Sequence, residues 1–309
     1  MKVKTPASLG QISDMDIRLL RVFKSVVECG GMAAAELELN IGTSTVSRHI
    51  KDLETRLGLL LCRRGRAGFA LTPEGERIYA ETLRLLAGAE AFRQSVDDIH
   101  QRMGGPLHLA VFDKTASNPA ARIHEAIARF TERAPEVHLQ LHVSTLIAIE
   151  RGVLDGQFQL GVIPGHRDSG TLAYEALFDE TMLLYCAARH PLYTADDATL
   201  DWESLRQHPF AGLGDHSPNM ALSQLRRLPR RATGFDQESI ATLILSGRYL
   251  GFLPDHYAQG FVRDGLMRAV HPARFRYECR FFSIVRRSPQ PTRVTRAFLD
   301  CLRQAHLAR

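Results

Sequence analysis

A chain of 309 residues is too long for one ordinary core and suits two or three domains, and 45% hydrophobic with 24% charged residues excludes a disordered or fibrous chain. The net charge of +5 is unevenly spread: residues 1–72 hold 11 lysines and arginines against 7 acids, so the basic excess is N-terminal. That asymmetry fits a phosphate-binding head on a nearly neutral body and equally a solvated basic surface, and charge alone does not choose between them.

The five cysteines, Cys29, Cys62, Cys186, Cys279 and Cys301, are odd in number and never spaced as CxxC. Neither a zinc finger nor a disulfide framework is indicated, and a reducing compartment is the simpler reading. Residues 1–13 contain no apolar run of signal-peptide length, and no later stretch approaches the roughly 18 apolar residues of a membrane span. A cytoplasmic protein with no membrane partner is expected.

Asp16 is placed to cap a first helix in which Ile17, Leu20, Phe23 and Val27 share a face, and Gly30-Gly31 supplies the backbone freedom that ends it. Residues 32–39, rich in alanine, predict a short second helix, and Asn40-Ile41-Gly42 a tight turn. In the third helix Val46, Ile50, Leu53 and Leu57 recur at steps of four, three and four, while Ser44, Arg48, Lys51 and Thr55 form the opposite stripe. One face packs and the other offers hydrogen bonds to base edges and phosphates, with Thr43, Thr45 and Ser47 at its start. Helix, short turn, helix is a DNA-binding arrangement. Two short strands then flank a tip carrying Arg63, Arg64 and Arg66, a wing whose arginines can lie along a DNA backbone or enter a minor groove.

Thr72 followed by Pro73 and Glu74 is a strong helix start. Ile78, Leu85, Phe92 and Ile99 lie seven apart, and Ala89, Val96 and Met103 form a second seven-residue series, so one apolar seam runs along a helix of roughly 45 Å from residue 73 to 103. The seam fits either a second copy of the chain or the chain's own C-terminal body. Gly104-Gly105-Pro106 breaks the helix.

Beyond the break, apolar strands alternate with amphipathic helices, which indicates α/β units around largely parallel sheets. Strands are expected at 107–112, 137–143 and 158–163, with a helix at 120–133, before Pro164-Gly165 interrupts the order. A second lobe follows, with strands near 172–178, 182–187, 209–212 and 250–253 and a helix near 238–246. A strand at 277–285 and a helix at 292–308 return the chain to the first lobe. A cleft between two such lobes is lined by strand-end loops and helix N-termini, which suit small anions. Candidate contacts are Lys114, Thr115, Ser117, Ser144, Thr145, Pro164, Gly214 and Ser239, each of which could equally be a cap or turn residue.

An enzyme could begin from Asp215-His216-Ser217, but three adjacent loop residues rarely converge on one reacting atom. No HExxH occurs, His190, His208 and His271 each precede proline, and Gly212-Leu213-Gly214 lacks a third glycine, so neither a metal nor a dinucleotide site is indicated. Cys62 beside Arg63 and Arg64 is the one cysteine with obvious cations nearby. No catalytic residue, cofactor or metal is expected.

Residues 16–86 resemble the winged helix-turn-helix of LysR-type transcriptional regulators. The likeness runs through Leu19-Leu20-Arg21-Val22-Phe23, Gly30-Gly31-Met32-Ala33-Ala34-Ala35, Leu39-Asn40-Ile41, Val46-Ser47-Arg48-His49-Ile50, Leu53-Glu54, Leu57-Gly58 and Leu71-Thr72-Pro73-Glu74-Gly75. It departs where the family usually has Ser-Gln-Pro-Ala, here Gly42-Thr43-Ser44-Thr45, and Thr43 lacks the long amide that pairs bidentately with adenine. The body resembles the family's effector-binding domain, two lobes like type 2 periplasmic-binding proteins, on Leu154-Asp155, Asp179-Glu180, His190-Pro191-Leu192, and Ser246-Gly247 before Leu253-Pro254. The resemblance implies an α/β multidomain chain. Its parts are a DNA-binding head (1–72), a linker dimerisation helix (73–104) and an effector domain (105–309), with lobe I at about 105–164 and 268–309 and lobe II at about 165–267. It also implies double-stranded promoter DNA, a small-molecule co-inducer and a homodimer or homotetramer as partners. The rival readings are an architectural DNA-binding protein without an effector and a two-lobed α/β enzyme.

Overall fold

The structure is a computed structural model that describes residues 10–65, 68–100, 103–167, 169–214 and 218–307. It divides into two compact units, one built on the first 93 residues and one largely on the remainder.

The first unit opens with α1 (Asp14–Glu28). Its cap is Ser13 and not Asp16: the Ser13 hydroxyl accepts the Asp16 N–H at 3.4 Å, and the Asp16 carboxylate accepts the Ser13 N–H at 2.8 Å. Asp16 thus stands as the third residue of a reciprocal capping box, a position that the serine two residues before Met15 makes available. Two further helices follow, α2 (Met32–Leu39) and α3 (Thr43–Leu57), ended by left-handed residues at Asn40 (φ +51°) and Gly58 (φ +66°). Leu19, Phe23 and Val26 of α1 meet Ala35 of α2 and Val46, Ile50 and Leu53 of α3 in one core, all at 1% exposure or less. The strands β1 (Cys62–Gly65) and β2 (Gly68–Leu71) pair antiparallel with Cys62 opposite Leu71.

The long helix α4 (Pro73–Ile99) begins where the Thr72 hydroxyl accepts the Gly75 N–H at 2.9 Å. It is shorter than expected. Its 27 residues span about 40 Å, and Met103, expected in the helical seam, packs instead against the core of the second unit.

In the second unit, β3 (Gly105–Val111), α5 (Ile123–Arg133), β4 (Val137–Val143), α6 (Leu146–Asp155) and β5 (Leu160–Pro164) form two parallel crossovers, with β3 between β4 and β5. Every residue of β5 is buried, whereas β4 is an edge strand that leaves His138 and His142 exposed, and its expected alternation fails towards the end, where Leu141 and Val143 are exposed as well. The chain then runs through β6 (Leu172–Ala187), α7 (Trp202–Leu205), β7 (Phe210–Leu213), α8 (Pro218–Leu225), β8 (Arg230–Gly234), α9 (Gln237–Leu245), β9 (Leu250–Pro254), α10 (Asp255–Arg263) and β10 (Met267–Ala269). It closes with β11 (Arg276–Arg286) and α11 (Arg293–Leu307). The sheet order is β4-β3-β5-β11-β6-β9-β7-β8, with β10 against β6.

The structure corrects two further expectations, both in the second unit. The segments 172–178 and 182–187 are one strand, β6, because Asp179 is held by Arg280 on the neighbouring strand and Glu180 is buried against His256, so the polar interruption finds partners without a turn. The sheet is also mixed: β3, β4 and β5 at one end and β7, β8 and β9 at the other are parallel, but β6 and β11 join them antiparallel, with Arg276 opposite Leu183 and Arg286 opposite Leu172. These two long strands carry the chain between the halves.

Candidate DNA-reading helix and effector cleft

The exposed stripe of α3 is the one the sequence predicts. Ser44, Arg48, Lys51 and Thr55 are exposed, Thr43, Thr45 and Ser47 are half-buried, and the opposite side is fixed by Val46, Ile50 and Leu53. The Thr43 hydroxyl donates to the Glu36 carboxylate of α2. Arg48 and Lys51 make no ion pair among the described residues, whereas Arg56 is tied to Asp16, its Nη2 donating at 2.8 Å. That guanidinium, with the Ser13 contacts, holds the Asp16 carboxyl far below the usual carboxylate range. Glu54 also turns inward, its Oε1 accepting the N–H groups of Leu61 (2.8 Å) and Cys62 (3.2 Å), so α3 carries the base of the wing. Arg63 is exposed on β1, Arg64 stands opposite Phe69 in the hairpin register, and Arg66 lies outside the described residues.

Along α4, Phe92, Val96 and Ile99 are 73%, 38% and 78% exposed. Leu85 is half-buried, and Ile78 packs against the core of the head.

In the second unit, the loop after β3 meets the N-terminus of α9. The Asp113 carboxylate accepts the Gln237 N–H at 2.7 Å, and Lys114, itself in the left-handed region at φ +60°, is ion-paired with Glu238 and lies 4.6 Å over the Tyr257 ring. One strand end is thereby latched to a helix start in the other half of the sheet. Two acceptors beside this latch, Asp113 Oδ1 and Gln237 Oε1, are buried without a hydrogen-bond partner among the described residues. Burial pushes the Asp113 carboxyl up to about 6, reinforced by Asp236 and Glu180 and opposed by the Gln237 N–H and Lys114.

The other candidate contacts are engaged within the fold. Thr115 is buried in a single 3-10 turn, and the exposed Ser117 places its hydroxyl 3.0 Å from His256 Nδ1. Thr145 accepts the Ala148 N–H as the cap of α6, and Ser239, inside the first turn of α9, donates to Asp236, which is the cap of that helix. The Ser144 N–H donates to Val111, Pro164 is buried as the last residue of β5, and the Gly214 N–H donates to Gly234. Sequence reasoning misses Asp113, Gln237, Glu238 and His256. An acid directly at the carboxyl end of a core strand, Phe112-Asp113-Lys114, is the signal that could have found the first of them, since ligands of open α/β sheets sit there.

Two family descriptions match the chain: "Bacterial regulatory helix-turn-helix protein, lysR family" over residues 17–76 and "LysR substrate binding domain" over residues 100–307. The chain belongs to the LysR family. It is 39% identical over 295 residues to the HTH-type transcriptional activator BauR of Pseudomonas aeruginosa, covering 96% of this chain and 97% of that one. Its fold is shared by full-length CbnR in complex with its target DNA (TM-score 0.64, 19% identity, 94% of this chain and 99% of that one). It is shared also by a full-length OxyR variant from Pseudomonas aeruginosa (TM-score 0.57, 20% identity, 95% and 96%). This LysR-family chain is a DNA-binding transcriptional regulator with a C-terminal effector-binding domain, and the enzyme reading is set aside.

No helix among the described residues is long and apolar enough to cross a membrane, and no group of three His, Cys, Asp or Glu residues among them is disposed to hold a metal ion. Asp215, His216 and Ser217 lie outside the described residues. Cys62, the candidate reactive thiol, is buried, and the half-exposed Cys29 donates to Glu38, which raises its pKa. Burial pushes Cys186 up to about 11 and raises Cys279 and Cys301 as well, the opposite of an acidified, reactive thiol.

The regulator's Asp113 makes stability depend on pH in a definite direction. Its carboxyl titrates near 4 when unfolded and near 6 when folded, so the fold favours the neutral form. The associated stability is present in full below pH 4 and lost as pH rises through 6. Asp113→Asn, which keeps an acceptor for the Gln237 N–H, should match the parent below pH 4 and exceed it by up to about 2 kcal/mol at pH 7 in urea unfolding. A difference that does not change between those pH values would refute the assignment.

Proposed function

We propose that α3 is the recognition helix of a reader of double-stranded promoter DNA, with Arg48 and Lys51 on phosphates and Thr43, Ser44, Thr45 and Ser47 nearest the bases. Arg63, Arg64 and Arg66 of the wing lie along the backbone or in the minor groove. CbnR, which has this fold, has been crystallised with its target DNA, and that supports the placement. The functional divisions are the head (1–72), the linker helix (73–104) and the effector domain (105–309), in a cytoplasmic homodimer or homotetramer. The linker joins copies through Ile78, Leu85, Phe92, Val96 and Ile99, of which Phe92 and Ile99 are the most exposed.

The effector is a small molecule bound in the cleft bordered by Lys114, Thr115, Ser117, Ser144, Thr145, Pro164, Gly214 and Ser239. The observation that carries this reading is the latch: Lys114 paired with Glu238, and Asp113 on the Gln237 N–H. An effector with an anionic group competes with Glu238 for Lys114, and a donor on the same molecule satisfies Asp113 Oδ1 and Gln237 Oε1. Its different affinity for the latched and unlatched arrangements then shifts the DNA-binding assembly.

Footprinting on DNA upstream of the protein's own gene, repeated with a panel of small carboxylates, tests this. One carboxylate should lengthen or shorten the footprint of the parent protein. Lys114→Met should keep the ligand-free footprint and need roughly 10- to 100-fold more of that compound, the effect of one charge-assisted contact. An unaltered dose response in Lys114→Met removes Lys114 from the site, and no response to any small molecule favours the architectural reading.

A further inference from the structure

We propose that the effector domain carries a second ligand site, at the opposite end of the sheet from the latch, which binds a small multivalent anion of the phosphate or polycarboxylate class. The site is a cleft of about 520 Å³ between the end of β11, the loop after it and α11. Its lining includes Arg133, Arg286, Arg287, Arg293, Arg296 and Arg303, with Asp300 as the only acid among the described residues that line it. The volume is that of an ordinary small-molecule site.

Register places it away from the latch. Pro164, at the carboxyl end of β5, pairs with Phe281, whereas Gly161 pairs with Ile284, so Arg286 lies past the amino end of β5. Five residues of strand, roughly 17 Å, separate Phe281 from Arg286.

Charge is not balanced within the cleft. Glu175 accepts two hydrogen bonds from Arg303 at 2.7 and 2.8 Å, Asp300 contacts Arg303 at 2.9 Å and Arg133 at 3.9 Å, and Asp98 lies 3.9 Å from Arg296. These three carboxylates meet the guanidinium groups of Arg133, Arg296 and Arg303. Arg286 and Arg287 have no carboxylate within ion-pair distance among the described residues, and the Arg287 side chain donates to the Leu172 carbonyl at 2.8 Å. Such crowding of like charge costs free energy unless an anion relieves it.

The residue type narrows the ligand. All six cations are arginine, whose planar forks pair bidentately with carboxylate and phosphate oxygens. They stand on a rigid frame: β11 for Arg286, α11 for Arg293, Arg296 and Arg303, and α5 for Arg133. The two helices are locked by Phe130 against Phe298, with ring centroids 5.2 Å apart. A monovalent anion leaves most of this excess uncompensated, whereas two or three charged groups on one small molecule meet it.

Calorimetric titration of the full-length protein with inorganic pyrophosphate and with citrate, at constant ionic strength, tests the site. Either probe should bind saturably at one molecule per chain, and the tighter one assigns the class. Arg286→Ala/Arg287→Ala should lower that affinity at least 10-fold, Arg296→Ala should lower it also, and Lys114→Met should leave it unchanged. The last variant separates this site from the effector cleft, so failure of either proposal leaves the other standing. Absence of saturable binding overturns the proposal, as does equal binding of acetate or unchanged affinity in both arginine variants with unchanged thermal unfolding. Weaker operator binding by Arg286→Ala/Arg287→Ala without added probe would assign the patch to DNA and overturn it too.

Discussion

Replacing Arg48 and Lys51 together with alanine is expected to lower operator affinity roughly 30- to 300-fold at moderate salt and to reduce the slope of log affinity against log salt by about two. The cations that remain available on α3 decide which pair to change. Arg56 on the same helix is held by Asp16, and its charge is spent inside the head. Arg48 and Lys51 are exposed on the stripe opposite Val46, Ile50 and Leu53, and neither is tied to a carboxylate among the described residues. A free cation that meets a phosphate releases about one condensed counterion, which is why the salt slope counts contacts and affinity alone does not. Both side chains lie outside the head's core, so the substitution leaves packing intact and the far-ultraviolet circular dichroism should not change. Gel-shift titration of the double variant from 50 to 200 mM salt is the measurement. A salt slope equal to the parent's would show that this stripe of α3 does not face phosphates.

The head is legible because its elements follow from short-range rules. Steps of four, three and four in α3 and glycine at position 58 need only the sequence near them. The same rules misplace the first cap: Asp16 is a good capping residue, but Ser13 lies one turn before it and completes a reciprocal box, which a reading of single residues misses. In the second unit the errors have a common cause. Asp179-Glu180-Thr181 reads as a break between two strands, yet β6 continues because Arg280 and His256, about 100 and 76 residues away in the chain, supply the missing partners. β8, with the sequence RRATG, has no apolar run because it is an edge strand with only Gly234 buried, so periodicity has nothing to detect.

The cleft shows the same limit. Thr145 and Ser239 are hydroxyls near helix starts, and both are engaged locally, Thr145 as the cap of α6 and Ser239 as a donor to Asp236, the cap of α9. The latch of Asp113 and Lys114 to Gln237 and Glu238 spans 124 residues of chain. An acid at a strand end marks one half of such a pair, but its partner is set by sheet order, which sequence does not print.

Gly75→Ala is expected to destabilise the head by about 3 kcal/mol, the upper end of overpacking costs, and to lower its melting temperature by more than about 10 °C. Gly75 is the third residue of α4, and a β-carbon there would stand 2.1 Å from the Leu61 carbonyl oxygen. The obstacle is main chain, so no rotamer change removes it. That oxygen accepts the Thr72 N–H at 3.0 Å, while the Thr72 hydroxyl caps α4 through the Gly75 N–H, so moving the helix away loses bonds that join it to the base of the wing. Gly88, in the middle of the same helix, has no atom within 4 Å of an added β-carbon. There the same substitution removes only the backbone entropy cost of glycine and should stabilise by about 0.5–1 kcal/mol. Thermal unfolding of the two variants beside the parent gives opposite signs if contact with Leu61 is what demands glycine at 75. Shifts of the same sign and size would mean that helix propensity alone governs both positions.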